Sequence, residues 1–206
     1  MPAETPDDLL DWLDREAEAF SGATTREYYL NRAGLKDDLA LAPIFERHAD
    51  LFRRETVDRV LGAETDDPRY AHLRELAVDG YLEQAAKELT EQIAARETAD
   101  TVEWEGEQLP YRAVQQRVMN EPDAWRRHEL DLRRLDVTAA QNELRQRRWD
   151  LLYGQTRDLG FASYVTLCDQ LGSLGLDRLR ETMERFLWET DKSYRDRLEQ
   201  ELRAIG

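Results

Sequence analysis

This sequence predicts an all-α fold, an elongated multi-helix unit with one small β-hairpin near residues 101–110, making a single helical domain over 1–206. Three observations carry the prediction. Apolar residues step by three and four along most of the chain, helix start and stop residues recur in the right order, and strict alternation appears at one place only. A length of 206 residues, 41% of them hydrophobic, is enough for one core that buries about 70% of the unfolded surface.

Thr5-Pro6-Asp7-Asp8 supplies an N-cap, a proline at the first helical position and acidic residues in the first turn, so a helix is expected to run to about Phe20 and end near Gly22. Thr24 and Glu27 repeat the capping-box spacing and open a short helix that Gly34 closes. From Asp38 to about Leu61 the inward-facing set Leu41, Ile44, Phe45, His48, Leu51, Phe52 and Val60 predicts one or two helices, with a break near Glu55 and a stop at Gly62. Asp67-Pro68 starts a long helix whose stripe runs from Tyr70 to Ile93, and Gly80 within it points to a close approach between helices.

The segment from Thr101 to Pro110 alternates, with Val102 and Trp104 on one face and Gly106 at the turn, which predicts the hairpin. A helix follows over Tyr111 to Val118, and Asn120-Glu121-Pro122-Asp123 restarts another. Thr138 with Gln141 reads as a further capping box, opening a helix to Asp158 that Gly160 stops. The segment from Phe161 to Leu171 is a short helix or turn, and Gly172 and Gly175 bracket the last loop. From Asp177 an amphipathic helix uninterrupted by proline or glycine is expected to extend about 42 Å; either the chain is a fragment or truncated paralogue whose exposed apolar stripe favours self-association, or Gly206 is the helix C-cap of a complete domain.

Charge narrows the classes of partner. Asp and Glu number 44 against 29 Lys and Arg, a net charge of −15, which opposes nucleic acid and anionic membrane surfaces because those bind through clustered cations. Three of the 29 basic residues are lysines, leaving 26 arginines, whose planar forks suit pairing with carboxylates. Glu4, Asp7 and Asp8 stand where a secretory leader carries positive charge, and no apolar run reaches membrane-spanning length. A cytoplasmic location is expected.

Catalytic patterns are sparse. Zinc hydrolysis needs two imidazoles one helical turn apart, and of His48, His72 and His128 only the last has a neighbouring glutamate, Glu129, with Leu132 where a second ligand belongs. No histidine has a glutamate three residues before it, as di-iron bundles require. Cys168 lies in an apolar-flanked segment that fits an inert buried thiol, and as the single cysteine it can form no intramolecular disulfide. One stretch opposes the global charge: arginines 112, 117, 126, 127, 133, 134, 145, 147 and 148 against carboxylates 121, 123, 129, 131, 136 and 143, a local excess of three positive charges. It reads either as a face for an acidic partner or peptide carboxylate, or as a solvated face laced with intrahelical pairs.

In order along the chain, the segments 30–52 (LNRAGLKDDLALAPIFERHADLF), 102–130 (VEWEGEQLPYRAVQQRVMNEPDAWRRHEL) and 157–179 (RDLGFASYVTLCDQLGSLGLDRL) resemble the N-terminal helical half of the zinc oligopeptidases related to oligoendopeptidase F, thimet oligopeptidase and angiotensin-converting enzyme. The hairpin, the N-E-x-D-x-x-R-R-type restart, and the helix ending in Leu159, Gly160, Phe161 and Tyr164 carry the resemblance, and the run from Phe186 to Tyr194 resembles the lead toward the catalytic half.

That resemblance implies a mostly helical, clamshell-like peptidase acting on short peptides in a deep channel, with zinc, both motif histidines and the general-base glutamate in a C-terminal half. No catalytic or metal-binding residue therefore carries over to this sequence, and no cofactor is expected within it. The expected role is the noncatalytic N-terminal wall and lid of the substrate channel. Its expected partners are a C-terminal catalytic half, or a second copy through the final helix, together with peptides. A helical interaction module without enzymatic activity is the alternative.

Overall fold

Thr5 opens the first helix as its sequence dictates: its hydroxyl accepts the Asp8 backbone N–H at 3.2 Å and donates to the Asp8 carboxylate at 2.7 Å, with Pro6 in the first turn. The computed structural model describes residues 5–205, without the side chains of Pro6 and Ile205, so Glu4 and the Gly206 cap lie outside the described residues. Among the described residues the fold is all-α with one small β-hairpin, as the pattern predicts. Residue contacts group the chain into two units, Met1–Tyr164 and Val165–Gly206.

In the first unit, α1 (Pro6–Arg32) is one helix of 27 residues, where two were expected. Gly22 does not stop it, and Thr24 caps nothing. The Thr24 hydroxyl instead donates back to the Phe20 and Ser21 carbonyls, satisfying itself inside the helix. The buried stripe of Leu9, Leu10, Leu13, Ala17 and Phe20 anchors the N-terminal turns, and the helix passes straight through Gly22 at a cost of about 1 kcal/mol relative to alanine. Gly34, with φ at +70°, then turns the chain away, as expected.

Next come α2 (Ala42–Arg47), a 3₁₀ turn (Ala49–Phe52) and α3 (Arg54–Leu61), broken at extended Arg53 (ψ 145°). The long α4 (Tyr70–Ala99) has Leu73, Ala77, Val78, Leu82 and Ala86 buried. Asp67 prepares its start by accepting the Arg69 backbone N–H at 2.8 Å. Gly80 is present for close approach, but to a side chain rather than to a helix backbone: a Cβ there would lie 1.9 Å from the Phe52 ring. Phe52 in turn meets Phe20 edge-on at 4.7 Å, with Phe45 5.4 Å away. This aromatic knot joins α1, α2, the 3₁₀ turn and α4 in one core.

Strands β1 (Thr101–Trp104) and β2 (Glu107–Pro110) pair antiparallel, with Val102 opposite Leu109. Glu105 and Gly106 both have positive φ, 52° and 85°, the two-residue turn whose twist matches a hairpin. Val102 and Trp104 bury a second core with Val114 and Val118 of α5 (Tyr111–Asn120) and Leu130 of α6 (Ala124–Ala140). Asp123 caps α6 by accepting the Arg126 backbone N–H at 2.9 Å.

The junction to α7 (Asn142–Asp158) departs from the predicted capping box. Thr138 sits in the last turn of α6, donating to the Arg134 carbonyl at 2.9 Å and sharing a 2.9 Å hydrogen bond with the Tyr111 hydroxyl. Gln141 is wholly buried and bonds the Asp100 carboxylate at 2.9 Å. Tertiary partners outcompete the local cap. Gly160, at φ +91°, ends α7 as read.

The second unit holds most of α8 (Tyr164–Gly172) and all of α9 (Leu176–Ile205). The Asp169 side chain accepts the Leu176 backbone N–H at 2.9 Å, stapling the loop that Gly172 and Gly175 bracket. No residue of α9 from 176 to 204 is buried, and Leu179, Met183, Phe186, Leu187, Trp188, Tyr194, Leu198 and Leu202 are exposed along it.

Candidate functional site

The strongest concentration of unlike chemistry lies in the first unit, where α1, α4 and α7 meet. Two open cavities occur there, of about 360 and 550 Å³, within the size range of small-ligand sites. They share Tyr28 of α1 and Arg148 of α7 as a common wall.

The smaller cavity is cationic. Arg32, Arg112, Arg145 and Arg148 line it, with Glu97 as its one carboxylate and Tyr28 and Trp149 as aromatic walls. Each guanidinium is positioned by a different element. Arg112, the second residue of α5, donates to the backbone and side-chain oxygens of Asn31 at 3.1 and 3.0 Å. Asn31 is itself buried, and its amide donates to the carbonyls of Lys36 and Asp37, fixing the turn after α1. Arg145 donates to Glu97 at 2.7 Å and to Gln141 at 2.9 Å, while its Nε is buried without an acceptor among the described residues. Arg148 donates to the Thr90 hydroxyl at 2.9 Å and pairs with Glu83. The Arg32 guanidinium lies 5.5 Å over the Tyr28 ring and forms no ion pair among the described residues.

The larger cavity is apolar and acidic. Phe20, Leu41, Phe45 and Leu76 form its floor and Glu75, Asp79 and Glu83 its rim, with His72 beside them. Partial desolvation, reinforced by Glu75 and Glu83, pushes the Asp79 carboxyl up to about 6, although the residue still reaches solvent. Leu41, one of this cavity's lining residues, is held by Glu91 of α4, whose carboxylate accepts the backbone N–H groups of Leu41 and Ala42 at 2.6 and 2.7 Å and so caps the start of α2.

The histidines are dispersed. His48 is buried, hydrogen-bonded to Glu16 at 3.2 Å and edge-on to Phe20; His72 is exposed at the groove; His128 is exposed on α6, and its neighbour Glu129 pairs with Arg133. No group of three His, Cys, Asp or Glu side chains able to hold a metal ion occurs among the described residues. Cys168 is half-buried in α8.

Within the arginine-rich stretch, Arg133 and Arg134 pair with Glu129 and Asp131 along α6, as a laced helical face would, while Arg126 reaches off the helix to Glu105 of the hairpin turn and to Glu121. Arg112, Arg145 and Arg148 instead converge on the cationic cavity, with Arg32 and Tyr28 supplied by α1, which the sequence did not link to them. None of these four arginines has a carboxylate three or four positions away, a signal present in the sequence and unused.

Compared with known protein families, with curated proteins and with solved structures, the chain shows no match. No helix of the described residues is long and apolar enough to cross a membrane.

Proposed function

We propose that this chain is the noncatalytic, substrate-channel part of a zinc-dependent oligopeptidase, with hydrolysis completed by a C-terminal zinc half. One observation supports the reading: two of the three segments that resemble such enzymes meet at the groove, whose remaining lining comes from α4, α7 and the part of α1 before residue 30. Asn31, from the first resembling segment, is clasped by Arg112, from the second, and both line the cationic cavity. Leu41 and Phe45 of the first segment line the neighbouring cavity. A groove with cationic, aromatic and acidic walls suits the mixed chemistry of a peptide chain, and the role of such a wall is to admit and orient substrate rather than to react with it.

The reading frame beyond position 206 decides the matter. An H-E-x-x-H motif within a few hundred codons, with zinc-dependent, chelator-sensitive peptide cleavage by the longer product but not by residues 1–206, is the expected result. A frame without that motif, or cleavage by residues 1–206 alone, refutes it.

The exposed stripe of α9 favours a second reading, a helical module that docks a partner helix. Eight large apolar side chains, Trp188 among them, are exposed along this helix of 30 residues, and an exposed apolar stretch of that kind marks an interaction surface. A stop codon directly after Gly206 together with a stable complex through α9 is the outcome that selects it.

A further inference from the structure

Building on the channel reading, we infer that the groove holds a short peptide in one direction, its free C-terminal carboxylate in the Arg32–Arg112–Arg145–Arg148 cavity and its amino terminus toward the Glu75–Asp79–Glu83 rim. In a chain with a net charge of −15, four arginines lining one cavity of about 360 Å³ against a single lining carboxylate form a local inversion of sign. Guanidinium forks match the two oxygens of a carboxylate, and such charge-assisted hydrogen bonds are about twice as strong as neutral ones.

The cavity is also short of acceptors. Arg112 has filled its hydrogen bonds largely with neutral oxygens of Asn31 and Ala94, and Glu97 lies 3.9 Å from it. Among the described residues Arg145 leaves a buried Nε–H without an acceptor, a group that native proteins ordinarily satisfy. An anion in the cavity supplies what is missing.

The ligand is more than an anion because the aromatic walls Tyr28 and Trp149 offer apolar contact beside the charges. Tyr28 and Arg148 also line the second cavity, which therefore adjoins the first and carries apolar side chains together with three carboxylates. A peptide with free ends has that distribution of charge: a carboxylate at one end, an ammonium at the other and side chains between. The opposite direction sets like charge against like at both ends.

Titration calorimetry on the 206-residue chain tests the assignment with a tripeptide of two alanines and a C-terminal phenylalanine, its C-terminal amide, its N-acetylated form, and inorganic phosphate. The expected result is binding of the free tripeptide, weakened about tenfold or more by amidation and about threefold by acetylation. Arg32→Gln, which disturbs no ion pair among the described residues, weakens the free acid about threefold and leaves the amide unchanged. Arg145→Lys keeps the charge but removes the fork, and weakens the free acid more than the amide while circular dichroism shows the variant folded. Equal binding of acid and amide, no binding of the free acid, or phosphate bound as tightly as the tripeptide overturns the carboxylate assignment, and equal binding of the acetylated form overturns the direction. Zinc-dependent cleavage by the longer product is a separate measurement, so failure here is distinguishable from failure of the channel reading.

Discussion

Replacing Gly80 by alanine sets helix propensity against packing, and the structure says which wins. In an exposed helix the change stabilises by about 1 kcal/mol, because glycine loses more backbone entropy on folding. At position 80 the new methyl would sit 1.9, 2.3 and 2.6 Å from three carbons of the Phe52 ring, far inside van der Waals contact. The ring has nowhere to go: Phe52 is 1% exposed, with Phe20 at 4.7 Å and Phe45 at 5.4 Å. Overpacking a closed core costs about 1–3 kcal/mol, and a displacement of this size belongs at or beyond the upper end. Gly80→Ala is therefore expected to lose about 2 kcal/mol net, a fall in melting temperature of about 4–8 °C for a protein of this size. Gly154→Ala in α7 is the control, since nothing lies within 4 Å of its added methyl; it should gain about 0.5–1 kcal/mol. Urea and thermal unfolding followed by circular dichroism measure both, and Phe52→Leu combined with Gly80→Ala should recover part of the loss. If Gly80→Ala proves as stable as the parent, the close approach to Phe52 is not what selects glycine.

Two further outcomes follow from the groove. Glu91→Ala removes the acceptor of two backbone N–H groups at the start of α2 and should cost about 2 kcal/mol in urea unfolding, with Glu91→Gln, which keeps one acceptor, costing less. Asp79 gives a signed pH effect: its folded carboxyl titrates near 6 against an ordinary 3.8, so between those values the unfolded chain ionises first. Stability is lost as pH rises across that window and stays lost above it, so Asp79→Asn should stabilise at pH about 7 and make no difference at pH about 4, as parallel unfolding curves will show.

The elements that proved legible were those whose local signals had no tertiary rival. The hairpin at 101–110 combines alternation with a residue pair at positive φ, and its buried face, Val102 and Trp104, is the face the pattern named. Thr5-Pro6 and Asp123 cap as read because nothing else claims their side chains. The misread junctions are those where a partner distant in sequence intervenes. Thr138 and Gln141 have the spacing of a capping box, yet Tyr111 and Asp100 claim them from 27 and 41 positions away. Thr24 and Glu27 have the same spacing, but the Glu27 carboxylate reaches forward to Lys36 and to the Ala40 N–H, leaving α1 unbroken. Spacing proposes a cap, and the buried partner decides whether it forms.

The groove hid from the sequence for a related reason: its cations come from α1, α5 and α7, and Arg32 and Arg148 stand more than a hundred positions apart. The local excess of positive charge between 112 and 148 was visible, but a sum does not say which arginines are occupied. Spacing does. Among the nine arginines of that stretch, only Arg112, Arg145 and Arg148 lack a carboxylate at three or four positions, and these are the three that line the cavity. A helical arginine with a carboxylate one turn away can meet it on its own surface, as Arg133 does with Glu129 and Arg134 with Asp131. One without such a neighbour must reach to another element or to a ligand, and Arg112, Arg145 and Arg148 reach inward to Asn31, Glu97 and Glu83. Arginines left unpaired by their own helix therefore mark where helices pack across a polar gap, and in this chain that gap is the groove.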